Sequence, residues 1–169
     1  MIENGTGGAN TTTDKEPPYL ITFFSSQPNY YLDAKNEVFY CGKPIAQIFL
    51  ERNFYSNFLA ANNINWQGII SRQIIPNEAI FVYELNTVFI IERKTQKKSG
   101  STDEKLGACA FKKRQYEKLL QGRCNVKIIY LLNNWFSQPK YMDILSYIRE
   151  NGCECCFDYI PPKVLGLPY

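Results

Sequence analysis

Glu92 and Lys94 are the side chains of this sequence that are best placed to do chemistry together. They close the segment 87–94, whose β-branched and aromatic residues predict a buried strand. Because side chains alternate along a strand, both point to one face and Arg93 points to the other. The sequence therefore predicts a carboxylate and an ammonium side by side at the end of an otherwise apolar strand.

A second strand, predicted over residues 78–83, brings further polar groups to the same place. A short polar turn joins it to the strand that carries Glu92, which favours an antiparallel hairpin. The open end of that hairpin brings Asn77 or Glu78 beside Glu92 and Lys94. The sequence thus predicts a cluster of oxygen and nitrogen groups at one edge of the sheet.

The predicted cluster has the chemistry of a metal site. Hard divalent cations such as Mg²⁺ take oxygen ligands, and Glu92, a second acidic or amide oxygen and a backbone carbonyl are such ligands. Lys94 is then placed to contact the attacking water or a phosphate oxygen. This arrangement is typical of metal-assisted hydrolysis. The alternative is a surface salt bridge between Glu92 and Lys94 at a charged strand end.

The composition limits the chemistry further, because the 169 residues include no histidine. Ser-His-Asp and Cys-His nucleophiles, histidine-metal nucleases, zincins and Cys/His zinc fingers are therefore excluded. A hydrolase built from this chain must work with carboxylates, lysines, hydroxyls and metal ions.

The motif resembles that of the PD-(D/E)XK nuclease superfamily. The matching residues are Pro76-Asn77, then fourteen residues, then Glu92-Arg93-Lys94. The wider stretch SRQIIPNEAIFVYELNTVFIIERKTQ is similar to the EcoRI-like type II restriction endonucleases. In that branch a basic and an apolar residue precede the first motif, and a Gln follows the lysine by two positions, as Gln96 does here. The resemblance covers roughly residues 66–135, under half of the chain.

The resemblance implies roles for individual residues. Asn77, Glu92 and Lys94 would form the catalytic set, with Lys94 positioning or activating water. Asn77, Glu92 and the backbone carbonyl of Arg93 would hold the metal. Two further carboxylates are candidate ligands, namely Glu78 and Glu51. For Glu51, a carboxylate that projects from a first helix toward the metal is weighed against a plain solvated helix face.

The resemblance also implies a function. The chain would be a Mg²⁺-dependent, site-specific endonuclease for double-stranded DNA that hydrolyses phosphodiester bonds as a type II restriction enzyme. Mn²⁺ or Ca²⁺ would substitute for Mg²⁺ in binding. A homodimer would match the two strands of a palindrome. A cognate DNA methyltransferase would be its genetic partner, and the prokaryotic cytoplasm would be its compartment.

Position 77 departs from the family pattern, because the family has Asp where this sequence has Asn. An amide oxygen still ligates a metal but brings no negative charge, which implies a weakened or inactive site. Three explanations are open: Glu78 takes over, the chain is a naturally weak nuclease, or an active Asp was replaced to trap a substrate complex. The alternative functions are a junction or repair nuclease of the same fold, a non-catalytic DNA-binding module, and a structural protein with a coincidental motif.

Positive charge is concentrated next to the predicted site. The whole chain has a formal net charge of +3, whereas residues 92–118 hold nine basic and four acidic residues. Lysine and arginine neutralise DNA phosphates, so this segment predicts a DNA-binding surface. A solvated helix face with a polar loop is the alternative. The candidate DNA-binding residues are Gln96, Lys97, Lys98, Ser101, Lys105, Lys112, Lys113 and Arg114.

Hydrophobic periodicity predicts an α/β fold with a central mixed β-sheet flanked by helices, which the resemblance identifies with a restriction-endonuclease-like core. Residues 1–18, rich in Gly, Thr and Asn, are predicted to form a flexible tail before a single domain over 19–169. The predicted helices are 44–61, 106–121 and 141–150. The predicted strands are 69–75, 78–83, 87–94, 125–132 and 153–160.

The six cysteines are predicted to be unpaired thiols. The first 18 residues lack the apolar core of a secretory signal, which favours the reducing cytosol. The group Cys153, Cys155 and Cys156 resembles half of a metal site, but no second cysteine pair or histidine completes it. Small apolar residues in a buried strand are the favoured interpretation. No apolar run approaches the roughly 18 residues that span a membrane.

Overall fold

One mixed sheet organises the part of the chain that the structure, a computed structural model, describes: residues 15–98, 100 and 102–169. Seven strands of this part stand in the sheet in the order of the sequence. Residues 1–14 of the predicted tail and Ser101 lie outside the described residues. The strands are β1 (Tyr30–Leu32), β2 (Glu37–Tyr40), β3 (Lys43–Leu50), β4 (Glu78–Val82), β5 (Thr87–Lys94), β6 (Asn125–Leu132) and β7 (Glu154–Phe157).

The connections divide this sheet into two halves. Strands β1 to β5 form an antiparallel meander, whereas β5, β6 and β7 run parallel to one another. Parallel neighbours need crossovers, and helices provide them. The α-helices of the described residues are α1 (Tyr19–Ser26), α2 (Thr102–Leu106), α3 (Cys109–Leu120) and α4 (Met142–Glu150). The predicted α/β fold with a central mixed sheet is confirmed.

Both faces of the sheet are buried, which explains the unbroken apolar run of β5. Ile90 belongs to a core shared with α3, α4 and a π-helical segment at Phe54–Leu59. Ile91 belongs to a second core under α1 and the C-terminal segment. Strands covered on both faces carry apolar residues at consecutive positions. Glu92 interrupts this run on the first face, and its burial is therefore a feature that needs an explanation.

Several predicted elements are confirmed. Strands β5 and β6 have the predicted bounds, and β4 ends one residue before its predicted end. Helices α3 and α4 lie within the predicted helices. Each is followed by a glycine in the left-handed region, Gly122 and Gly152, both with φ of 75°. Glycine adopts that conformation without steric cost, so these residues end the helices.

The predicted helix over 44–61 is wrong for its first half. Residues Lys43–Leu50 form β3, which pairs with both β2 and β4. Glu51 adopts a left-handed conformation, with φ of 46°, and the chain turns there into the π-helical segment. Ile48 and Phe49 pack into opposite cores, so their spacing imitated one helix face although it comes from a strand covered on both sides.

The predicted strand over 69–75 is also wrong. No strand in the described part of the chain pairs with this segment: Ile69 and Ile70 donate to the Trp66 carbonyl, and tyrosine side chains satisfy the backbone of Ile74. The Tyr55 hydroxyl accepts the Ile74 N–H at 2.8 Å, and the Tyr116 hydroxyl donates to the Ile74 carbonyl at 3.0 Å. The last predicted strand is shorter than expected, since β7 covers only Glu154–Phe157. Helix α1 and strands β1 and β2 were not predicted.

Within the described residues, no helix combines the length and the apolar character needed to cross a membrane. The six cysteines are free thiols. Cys109 and Cys153 are buried together, where α3 begins and where the chain enters β7. Burial, followed by the neighbouring Cys109 thiol, raises the pKa of Cys153 to about 12.

These thiols should differ in reactivity. A raised pKa leaves less thiolate at a given pH, and the thiolate is the reactive form. In the native protein at pH 8, Cys109 and Cys153 should react with a thiol reagent at least about 100-fold more slowly than exposed Cys41. Mass spectrometry of partially alkylated protein measures this. Equal rates in the native and the unfolded protein would contradict the burial of this pair.

Candidate active site

The hairpin of β4 and β5 forms as predicted and brings the motif residues together. Glu78 stands opposite Ile91, so the chain before β4 runs alongside the end of β5. Asn77 Oδ1 accepts a hydrogen bond of 2.8 Å from the backbone N–H of Arg93, the residue between Glu92 and Lys94. The amide side chain of the first motif is therefore fixed to the backbone of the second.

Glu92 is a buried carboxylate, only 2% exposed, at the end of β5. Two ammonium groups share its Oε2 atom: Lys112 Nζ at 3.1 Å and Lys94 Nζ at 3.5 Å. Its Oε1 atom has no hydrogen-bond partner among the described residues. Buried charges are ordinarily paired and buried oxygens ordinarily bonded. One carboxylate oxygen is thus paired with two ammonium groups, and the other has lone pairs that accept no hydrogen bond.

Two tyrosines line the carboxylate from the side of the core. Tyr130 lies opposite Glu92 on β6, and its hydroxyl has no partner among the described residues. Burial, followed by the charge of Glu92, raises the pKa of both Tyr130 and Tyr116. Both phenols therefore stay protonated at neutral pH and add no charge to the surroundings of Glu92.

Glu78 does not join this cluster, because it faces the opposite side of the sheet. It stands opposite Ile91 in the core under α1. Its carboxylate accepts the backbone N–H groups of Tyr19 at 3.0 Å and Leu20 at 2.8 Å, and so caps α1. Burial raises the pKa of Glu78, against the effect of these two hydrogen bonds. The first turn of α1 thus depends on a side chain from β4.

Replacing Glu78 with Ala should destabilise the fold by about 1–3 kcal/mol, because it leaves two N–H donors without an acceptor and Leu20 is fully buried. Glu78→Gln keeps one acceptor oxygen and should cost less. Urea unfolding followed by circular dichroism measures both, with exposed Glu84→Ala as the matched control. Equal midpoints for Glu78→Ala and the control would show that the cap contributes nothing.

Glu51 lies close to Asn77 but outside the Glu92 cluster. It follows β3, not a helix as predicted, and its N–H donates to the Asn77 carbonyl at 3.3 Å. Its carboxylate pairs with Lys15. Arg93, on the face opposite to Glu92, pairs with Glu16 at 3.2 Å. Together with Asn77, these groups line a cavity of about 510 Å³.

The candidate DNA-binding residues separate into two groups. Lys97, Lys98, Lys105 and Arg114 are exposed. Gln96 is 8% exposed, and both of its side-chain polar atoms lack partners among the described residues. The backbone of Gln96 is held by two hydrogen bonds to the side chain of Asn133, at 3.2 and 2.7 Å. Gln96 is therefore a buried residue and does not lie on the exposed surface.

The two lysines of α3 among these candidates also differ. Lys113 Nζ contacts the Asn151 carbonyl at 3.3 Å and Glu117 at 3.6 Å. Lys112 instead points inward to Glu92. Sequence reasoning placed Lys112 with the DNA-binding residues and missed this pairing. The available signal was helical spacing, since Lys112 shares a face with Cys109 and Tyr116, which are both buried.

The donor atoms are of the kinds that a divalent metal takes, but they bring little negative charge. Glu92 Oε1 is an unpartnered carboxylate oxygen, the Asn77 Oδ1 atom accepts one hydrogen bond and keeps a second lone pair, and the Arg93 carbonyl adds a neutral oxygen. Across the described ranges, no three or more Asp, Glu, Cys or His side chains are grouped to hold a metal. One carboxylate and two neutral oxygens would bind a divalent cation weakly.

Comparison with protein-family models, with curated proteins and with solved structures gives no match for this chain. Support for a function therefore comes from the geometry at the start of β4 and the end of β5. This geometry combines a buried carboxylate, an amide bonded to the neighbouring backbone and two ammonium groups that share one carboxylate oxygen, at the ends of two central strands.

Proposed function

We propose that this chain is a Mg²⁺-dependent, site-specific endonuclease for double-stranded DNA, of the type II restriction class in the PD-(D/E)XK superfamily. The observation that carries the proposal is the meeting of Asn77, Glu92 and Lys94 at the open end of one hairpin, with Asn77 bonded to the backbone between the other two. The mixed α/β sheet, with α3 leading from β5 to a parallel β6, supports it.

The chemistry follows from the groups present. Asn77, Glu92 and the carbonyl of Arg93 would hold the cation, which supplies charge stabilisation at the phosphate and a water of lowered pKa. Lys94 would neutralise developing charge on the phosphate and orient the attacking water for in-line attack. Burial strengthens these interactions, because Glu92 lies almost wholly out of water.

The exposed lysines and arginine of the candidate set would bind the DNA backbone. Lys97 and Lys98 follow within four residues of the end of β5, the strand that carries the site, and Lys105 lies in α2, the next helix. Phosphate contacts of this kind give an affinity that falls with salt. A homodimer would present two sites to the two strands of a palindrome. A cognate DNA methyltransferase and a prokaryotic cytoplasm complete the proposal.

Cleavage of plasmid DNA tests the proposal. Incubation with Mg²⁺ should convert a plasmid to discrete bands, and EDTA should prevent this. The rate of the chain as it stands is expected to be low, because Asn77 brings no charge. Branched DNA cut in preference to plasmid would instead indicate a junction or repair nuclease of the same fold.

A non-catalytic DNA-binding module is the second candidate. Two observations favour it: position 77 is an amide, and the Oε2 atom of Glu92 is already neutralised by two lysines. This candidate predicts DNA affinity that does not depend on Mg²⁺. It also predicts no cleavage after Asn77→Asp, which separates it from the nuclease.

A further inference from the structure

Helix α3 delivers a second lysine to the candidate active site. Lys112 Nζ lies 3.1 Å from Glu92 Oε2, closer than Lys94 Nζ at 3.5 Å. The Lys112 side chain is 22% exposed and lies on the inward face of α3, whereas Arg114 on the same helix is exposed. The closest cation to the buried carboxylate is therefore a residue from outside the ExK motif.

The need for this second cation follows from burial. A carboxylate that is 2% exposed loses most of its hydration, and only paired charge offsets that loss. If Lys94 alone compensated Glu92, its ammonium would be committed to the carboxylate. With Lys112 in place, the two lysines and one glutamate carry a formal charge of +1. One ammonium then remains available for an anion.

We propose that Lys112 is a positioning residue that holds Glu92 and thereby leaves Lys94 free to turn to the scissile phosphate. This inference rests on the proposed function and gives the two lysines of the site different roles. Lys112 acts through Glu92 and not through the DNA backbone. It therefore differs in role from the exposed basic residues Lys97, Lys98 and Arg114.

Steady-state cleavage by Lys112→Met in an Asn77→Asp background tests this role. Methionine keeps the length of the side chain without its charge. The expected result is a kcat lowered by about 10–100-fold with KM for DNA within about twofold, and recovery of most of kcat in Lys112→Arg. If Lys112→Met does not fold, Lys112→Gln replaces it in the same comparison of kcat and KM, because glutamine removes the charge but keeps a polar side chain. Lys35→Met, in the turn between β1 and β2, removes the same charge far from the site.

DNA affinity measured with Ca²⁺ gives a second result that does not depend on turnover. A phosphate-contacting lysine contributes about −0.9 to the slope of log K against log salt. For Lys112→Met the slope should equal that of the parent. A raised KM, an unchanged kcat and a slope reduced by about one would show that Lys112 binds phosphate, and would overturn the inference.

Urea unfolding separates this inference from the proposed function. Lys112→Met should lower the unfolding midpoint when Glu92 is present and have a smaller effect in Glu92→Gln, because the lost partner is the carboxylate. No difference between the two backgrounds would overturn the pairing. The urea experiment can show that Lys112 and Glu92 are coupled while the Asn77→Asp parent cleaves no DNA. That combination would reject the nuclease, and with it the positioning role of Lys112, and would leave the ion pair a purely structural role.

Discussion

Replacing Asn77 with Asp is expected to raise Mg²⁺-dependent DNA cleavage by at least about 100-fold, because it supplies the negative charge that the donor set lacks. The substitution should not disturb the fold. The Asn77 side chain uses its oxygen to accept the Arg93 N–H, and an aspartate oxygen accepts the same bond. The conversion of supercoiled plasmid to nicked and linear forms gives the rate.

Asn125→Asp is the matched control for this prediction. It makes the same change of charge at the exposed start of β6, the end of that strand away from Tyr130 and Glu92. Its cleavage rate should equal that of the unsubstituted chain. If both Asp variants cleave equally, the gain comes from general charge and not from the site, and if neither gains, Asn77 does not belong to the metal site.

Replacing Lys94 with Ala in the Asn77→Asp background should lower the cleavage rate by about 10³-fold, because the phosphate and the water lose their ammonium. The fold should persist, since Lys112 remains 3.1 Å from Glu92 and still compensates the buried carboxylate. Binding of DNA with Ca²⁺ should change by no more than a few-fold. The expected defect is therefore in the chemical step.

Lys127→Ala provides the comparison, because Lys127 is exposed near the start of β6 and is remote from Glu92 along the strand. It should cleave at the rate of its parent. A loss of DNA affinity in Lys94→Ala that matches its loss of rate would make Lys94 a binding residue only. If Lys94→Ala cleaves DNA at the rate of its parent, the Glu92–Lys94 pair is only a salt bridge at a charged strand end.

The site hairpin was predictable from sequence because its signals are local. Strands β4 and β5 are short apolar runs separated by a polar turn, and alternation fixes which side chains share a face with Glu92. The crossover from β5 through α3 to β6 follows from a helical pattern between two apolar strands. These elements form the part of the fold that positions the site.

The errors arose where tertiary contacts replaced local rules. In β3, burial on both faces produced a spacing that imitates a helix. In 69–75, a segment with a pair of isoleucines at each end has no strand neighbour among the described residues. The hydroxyls of Tyr55 and Tyr116 hold the backbone of Ile74 instead, which no periodicity reveals. The short strands β1 and β2 carry too few residues for a pattern to emerge.

The partners of the site residues were the least predictable feature. The sequence predicted that Asn77 or Glu78 lies beside Glu92. A shift of one residue along a strand reverses the face, and Glu78 caps α1 instead. Lys112 and Glu92 are twenty residues apart, and their pairing depends on how α3 packs on the sheet. Such contacts are set by packing and not by spacing along the chain.

A digest of plasmid DNA by the Asn77→Asp form, with and without Mg²⁺, is the most direct test of metal-dependent cleavage at Glu92. Asn77→Asp/Glu92→Gln, digested in parallel, removes the buried carboxylate while keeping its shape. A nuclease site at Glu92 predicts discrete fragments with Mg²⁺, none with EDTA and none from the double variant. Intact plasmid under every condition, or equal fragments from the double variant, would contradict a nuclease site at Glu92.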